Sequence, residues 1–178
     1  SHLNSLSPST VITVSGNKPV RFFPGAVWST TGAANITIDA NDVRFDDDSG
    51  LSVAGLADIV VHDTGSFTLL TRPGASIVAP TAGSRLTVNA TAGLNLDGTT
   101  LGLGDIRLTA AGMHFNNSTL GVPGQDSHIE LVSSADTQFG NAAGTDVIVR
   151  GNHANFSVNA SNGDLIVAEG TGIDLQTT

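Results

Sequence analysis

The feature that most restricts what this chain can fold into is a short unit repeated along most of its length: an apolar residue, an arbitrary residue, a second apolar residue, then a turn. Ile36 and Ile38 flank Thr37, Val43 and Phe45 flank Arg44, Leu51 and Val53 flank Ser52, and Phe67 and Leu69 flank Thr68. The series continues through Leu86 and Val88, Leu94 and Leu96, Leu101 and Leu103, Ile106 and Leu108, and Met113 and Phe115. It ends with Ile129 and Leu131, Val147 and Val149, Phe156 and Val158, Leu165 and Val167, and Ile173 and Leu175. A period of two sends both apolar side chains to one face of an extended strand and the middle residue to the other, which excludes helix. Between the units stand Asn41-Asp42, Asp48-Ser49-Gly50, Asp97-Gly98, Asn116-Asn117 and Ser161-Asn162-Gly163. These residues tolerate positive φ or close Asx turns, so each group marks a corner.

Units recur about every eight residues. Ordering eight residues costs roughly 8–16 kcal/mol of backbone entropy, whereas burying two medium apolar side chains stabilises by roughly 3–6 kcal/mol, so no unit stands alone. Stability has to come from stacking, with each strand hydrogen-bonded to neighbours about 4.8 Å above and below and the apolar pairs forming one column. The predicted fold is therefore all-β: a three-sided parallel β-solenoid with coils of about 24 residues, roughly six of them. One chain can supply all three sides of every coil, or three identical chains can wind together as an interwoven trimer; the same pairs and corners serve both. The rival is an antiparallel sandwich, which calls for strands of about five or six residues and leans on aromatic side chains. Aromatics make up only 4% of this chain.

Residues 1–35 read differently, with Val11-Ile12-Thr13-Val14, Pro19, Phe22-Phe23-Pro24 and the sole tryptophan, Trp28. They are predicted to be an N-terminal capping segment, in which Phe22, Phe23 and Trp28 close the end of a solenoid spanning 36–178. A ligand-binding aromatic patch is the other use for those side chains. At the opposite end the repeat runs out at Leu175 without a change of composition, as in a piece of a longer fibre or an end covered by another chain.

Seven basic residues stand against sixteen acidic ones, and a formal charge of −9 repels phosphate backbones and anionic lipid, so nucleic acid is an unfavourable partner. Cysteine is absent, which removes disulfide scaffolds, thiolate nucleophiles and cysteine-based zinc sites together. No apolar run approaches the roughly 20 residues of a membrane helix, so membrane insertion of this segment is not expected and any targeting or anchoring element is expected outside it.

The run Ala92-Gly93-Leu94-Asn95-Leu96-Asp97-Gly98-Thr99-Thr100-Leu101, followed by Gly104-Asp105-Ile106-Arg107-Leu108-Thr109-Ala110-Ala111-Gly112, resembles the repeats of filamentous haemagglutinin-type adhesins. Those repeats alternate Gly-Asp-apolar-x-apolar with Ala-Gly corners. The resemblance implies a right-handed single-chain β-helix, secreted by bacteria and displayed for adhesion or toxin delivery. Residues 121–150 keep neither the length nor the Ala-Gly corners of that pattern. The irregularly spaced units are also similar to the extracellular stalks of sarcoglycan-type membrane proteins and to phage tail-spike shafts, both of which can be trimeric. Asn-x-Ser/Thr sequons begin at Asn35, Asn89, Asn116, Asn117, Asn155 and Asn159. Placed in exposed corners, they suit glycosylation of an ectodomain, although Asn, Ser and Thr favour corners in any case.

Carbohydrate-processing β-helices need paired acids, or calcium with a basic partner, on one face. The densest acidic cluster is Asp46-Asp47-Asp48 with Arg44 nearby, the one place whose oxygens suit calcium; the alternative is a solvated corner beside Ser49-Gly50. No other cofactor is implied, because the glycine-rich calcium nonapeptide, the nucleophile elbow, the phosphate loop and the dinucleotide fingerprint are all missing. His62, His114, His128 and His153 lack short ligand spacing, and His114, between Met113 and Phe115, should point outward. Arg107 and Glu130 fall at outward positions one coil apart, where they can pair across stacked strands. The function expected from these features is non-enzymatic: a structural or adhesive segment of a secreted or cell-surface protein, whose partner is a cell-surface protein, a glycan or a further copy of itself, as in a homotrimer. The competing expectation is a carbohydrate-binding or carbohydrate-processing β-helix.

Overall fold

The structure, a computed structural model, describes residues 2–66, 69–140 and 147–176. The predicted unit at Phe67-Thr68 falls outside the described residues. Within them the chain forms 22 strands and no helix. The first coil is β1 (His2–Ser5), β2 (Ser9–Gly16) and β3 (Val20–Phe22), the second β4 (Val27–Thr30), β5 (Ala33–Ala40) and β6 (Val43–Phe45), and the third β7 (Gly50–Val53), β8 (Ala57–Asp63) and β9 (Leu69–Thr71). Then follow β10 (Ser76–Val78), β11 (Arg85–Ala90) and β12 (Leu94–Asp97), and β13 (Thr100–Gly102), β14 (Asp105–Ala110) and β15 (Met113–Asn116). The last are β16 (Thr119–Gly121), β17 (Ser127–Ser133) and β18 (Thr137–Phe139), then β19 (Val147–Arg150), β20 (Ala154–Ala160) and β21 (Leu165–Val167), with β22 (Ile173–Gln176) beginning one more turn.

Every third strand joins the same sheet, giving a first face of eight strands and second and third faces of seven each. All neighbours are parallel, as from β5 to β8, β8 to β11 and β11 to β14 on the second face. One chain supplies all three sides of each coil, so the winding is the three-sided single-chain prism rather than an antiparallel sandwich. Seven coils result, because residues 2–35 follow the same path through the three faces, forming the first coil and opening the second. Coil length flexes: 27 residues separate Ile59 from Leu86 and 20 separate Leu86 from Ile106 in the register. The variation sits in connections, since 79–84 and 122–126 are long links that meet through a hydrogen bond from Gln125 Nε2 to the Pro80 carbonyl.

The predicted pairs point inward through the middle of the stack. Ile36, Ile38, Leu51, Val53, Leu86, Leu94, Leu101, Ile106, Leu108, Ile129, Leu131, Val147 and Val149 are all buried in one core. Second-face strands are longer, and small residues such as Ala34, Ala57, Ala90, Ala110 and Ser133 flank the aliphatic pair where neighbouring faces converge. The few aromatics also stack: Phe22 lies on Phe45 with ring centroids 4.5 Å apart, and Phe115 on Phe139 at 5.1 Å. Trp28 tilts against Phe22 near the first end, while Phe23 stays 60% exposed.

The corner from the third to the first face shows why the sequence places Gly, Asp and Asn there. Gly25, Asp48, Gly74, Gly98 and Asn117 stand one above another in the register, and all adopt φ between 46° and 80°. That left-handed conformation is cheap only for Gly and tolerable for Asn and Asp.

The last coil lacks a neighbour on one side, and Leu165, Val167 and Leu175 are about half exposed there. Burial therefore grades along the axis, and stability should follow. Leu108→Ala, in the fully buried middle, is expected to lower the unfolding free energy by about 2–5 kcal/mol, and Leu175→Ala by less than about 1 kcal/mol. Urea unfolding of the two variants checks this; equal losses would contradict it.

Candidate functional site

The acidic cluster Asp46-Asp47-Asp48 divides into one covered side chain, Asp46, and two exposed ones, Asp47 and Asp48. Asp46 follows the inward Phe45 at the end of β6, and its side chain is only 4% exposed. Arg21 of β3 and Arg44 of β6 are register partners on the outward side of the third face. Two stacked guanidinium groups repel, and Asp46 resolves this by accepting from both: Arg21 Nε donates to Oδ2 at 2.5 Å and Arg44 Nε to Oδ1 at 2.6 Å. Arg21 also lies 5.0 Å from the ring centroid of Phe23. Both Asp46 oxygens are thus engaged by arginine, while Asp47 and Asp48 are exposed and Asp48 shapes the left-handed corner. Burial alone would raise the Asp46 carboxyl, but the hydrogen bonds and charges of Arg21 and Arg44 outweigh it and hold it below the ordinary value of 3.8.

A second buried acid escaped the sequence reading. Asp63 ends β8 in the column of small residues, is 1% exposed, and accepts from the backbone N–H groups of Val43 at 2.9 Å, Gly65 at 3.0 Å and Asp42 at 3.1 Å. It closes the corner between the second and third faces. Ser49, Thr99 and Ser118 do the same work at the next corner, donating to the carbonyls of Asp46, Asp97 and Asn116.

On the second face the outward residues stand in three columns that carry Asp39, Asp58, Arg85, Asp105, Arg107 and Glu130. One runs Asn35, Asp58, Arg85, Asp105, His128, Asn155; the middle one runs Thr37, Val60, Thr87, Arg107, Glu130, Ser157; the third runs Asp39, His62, Asn89, Thr109, Val132, Asn159. Arg107 and Glu130 pair as predicted, at 3.4 Å, and Arg85 pairs with Asp105 at 3.1 Å. Beside the third column a shallow groove crosses several coils, lined by Asp39, His62, Asn89, Thr109 and Val132 over small residues such as Ala90 and Ala110.

The histidines are less scattered than their spacing suggests. His128 and His153 share a depression with Asp105 and Asp126, and His153 Nδ1 lies 2.9 Å from Asp126 Oδ1. The long 122–126 link makes this meeting, which no linear spacing could reveal. His114 points outward and its Nε2 contacts the Gly140 carbonyl at 3.0 Å. Among the described residues, no three His, Asp or Glu side chains converge as a metal-binding group. The sequons also differ from expectation. Asn35, Asn89, Asn155 and Asn159 lie within strands rather than corners, because the second-face strands extend beyond the three-residue unit.

Fold and flank together define a three-sided parallel β-solenoid with several polar side chains, such as Arg85 with Asp105 and Asn116 with Asp97, bonded along its ladders. No protein-family model, curated protein or solved structure matches the chain.

Because the Asp46 carboxyl is depressed on folding, its stabilising contribution is complete above the unfolded value near 3.8 and is lost as pH falls from there through the folded value. Asp46→Asn is expected to cost about 1–3 kcal/mol at pH 7, discounted for the exposure of both arginines. The gap between the two proteins should close as pH is lowered below about 3.8. Chemical unfolding at several pH values measures it, and a pH-independent gap would contradict the assignment.

Proposed function

We propose that this chain is a non-enzymatic structural or adhesive β-helical segment of a secreted or cell-surface protein, serving attachment or assembly. What carries the proposal is the ladder bonding of the flank: Arg85 to Asp105, Arg107 to Glu130 and Asn116 to Asp97 each tie one coil to the next. A flank built in this way is a stiff, repetitive surface rather than a cleft around one reacting bond. Each coil adds roughly 4.8 Å of rise, so the segment acts as a spacer that presents its faces along one axis. Kinship with filamentous haemagglutinin-type adhesins is supported by the Gly-Asp-apolar-x-apolar run at Gly104–Leu108, which leads into β14 of the second face. The partner we propose is a protein or glycan on a cell surface, or further copies of the chain.

Carbohydrate binding is the second reading, favoured by the groove beside the third column. Its donors and acceptors from Asp39, His62, Asn89 and Thr109 repeat at the rise of one coil, a spacing suited to a linear polymer of hydroxyl-bearing rings.

Beads coated with the purified chain test both readings on cultured cell monolayers and on a panel of soluble polysaccharides. The adhesive reading expects retention on cells at least about tenfold above albumin-coated beads, unchanged by Asp47→Asn with Asp48→Asn, and no new reducing or unsaturated ends in any polysaccharide. Release of such ends by the chain would replace it with an enzymatic function.

A further inference from the structure

We propose that the outward side of the second face is an N-glycosylated surface, with Asn35, Asn89, Asn155 and Asn159 as the acceptors. This rests on the extracellular location proposed above and not on adhesion. Six sequons are present, and the structure divides them into two kinds. Asn116 and Asn117 are structural. The Asn116 amide donates to Asp97 Oδ1 at 2.7 Å, and the hydroxyl residue of its sequon, Ser118, is fully buried, donating to the carbonyls of Leu96 and Asn116. Asn117 occupies the left-handed corner with φ of 46°. Sugar on Asn116 would remove the corner bond to Asp97.

The other four have no such role. Each lies within a strand, where Asn is disfavoured, so corner preference does not explain it. Each side chain is exposed, and none has a hydrogen-bond partner among the described residues. Strand alternation carries the required hydroxyl two residues on to the same side at Thr37 and Ser157, and at Thr91 and Ser161 it follows just past the strand end. Unlike Ser118 none of the four is buried, although Ser157 and Ser161 donate to the carbonyls of Ile129 and Ser133. No two of the four are ladder neighbours: Asn35 stands between Val11 and Asp58, Asn89 between His62 and Thr109, and Asn155 and Asn159 beside His128 and Val132. Along the third column Asn89 and Asn159 are three coils apart, roughly 14 Å, which leaves room for a sugar on each.

The chemistry is transfer from a sugar activated as a glycosyl phosphate ester by an external transferase. The Asn Nδ2 forms a bond to the sugar C1, the C1–O bond breaks, the phosphate-bearing group leaves with the electron pair, and the amide proton passes to a base. Sugar on Asn89 would occupy the groove beside the third column, so glycosylation there and carbohydrate binding in that groove exclude each other.

The test is secretion of the chain from a eukaryotic host, followed by intact mass and peptide mapping before and after treatment with a peptide N-glycosidase, which leaves Asp at each site that carried sugar. The expected result is conversion at Asn35, Asn89, Asn155 and Asn159 in the folded protein, with Asn116 and Asn117 unchanged. A folded product bare at the four, or one carrying sugar on Asn116 or Asn117, overturns the proposal. Replacing all four acceptors by Gln should abolish the mass increment and leave the melting temperature of the deglycosylated protein unchanged. Asn116→Gln should instead lower that temperature and leave the increment unchanged. A melting-temperature loss in the fourfold variant would show these asparagines to be structural and overturn the proposal. Bead retention of the same preparations separates this outcome from the adhesive reading, since adhesion through another face survives whether or not sugar is found.

Discussion

The structure depends on the vertical packing of inward aliphatic side chains, each resting on its equivalent one coil above and below. No coil buries enough apolar surface to offset the entropy of ordering it, so the fold exists only as a stack. Ile36 on Ile59 on Leu86 on Ile106 on Ile129 is one such column, and the in-register hydrogen bonds of the second face hold it at a constant rise. Everything outside the column can vary in length. Connections at the corner between the first and second faces range from two residues (31–32, 103–104) to six (79–84) without disturbing the register.

Polar residues enter this architecture under the same constraint. A buried polar group is costly without a hydrogen-bond partner, and several here find theirs within their own coil or the next. Asp63 satisfies three corner amides, Asp46 joins two coils through arginines that would otherwise repel, and the corner hydroxyls of Ser49, Thr99 and Ser118 bond carbonyls within two or three residues. These contacts tie the faces together where the strands end. They also explain why acidic residues placed close in sequence differ: Asp46 is covered between Arg21 and Arg44 while Asp47 and Asp48 are exposed.

Much of the fold was legible because strand alternation and corner residues are local signals. The pairs from Ile36 to Val149, the corner at Asp97-Gly98 and the outward pairing of Arg107 with Glu130 all follow from counting along the chain. What lay beyond counting was register in the first coil and the reach of the connections. Arg21 could not be placed on Arg44 without knowing that residues 2–35 wind through the same three faces. Nor could Asp126 be placed beside His153 without the path of the 122–126 link. The small residues Ala34, Ala57 and Ala90 carry no strand signal alone, so the sequence shows only three-residue units on the second face and leaves its asparagines looking like corner residues although they lie in strands.

The stacked column is tested most directly by side-chain proximities in solution, measured by nuclear Overhauser contacts on a methyl-labelled chain. The account predicts contacts from Ile59 to Ile36 and Leu86, and from Ile106 to Leu86 and Ile129, with parallel backbone contacts at the same pairs. Antiparallel contacts between strands adjacent in sequence, such as β5 with β6, would contradict it.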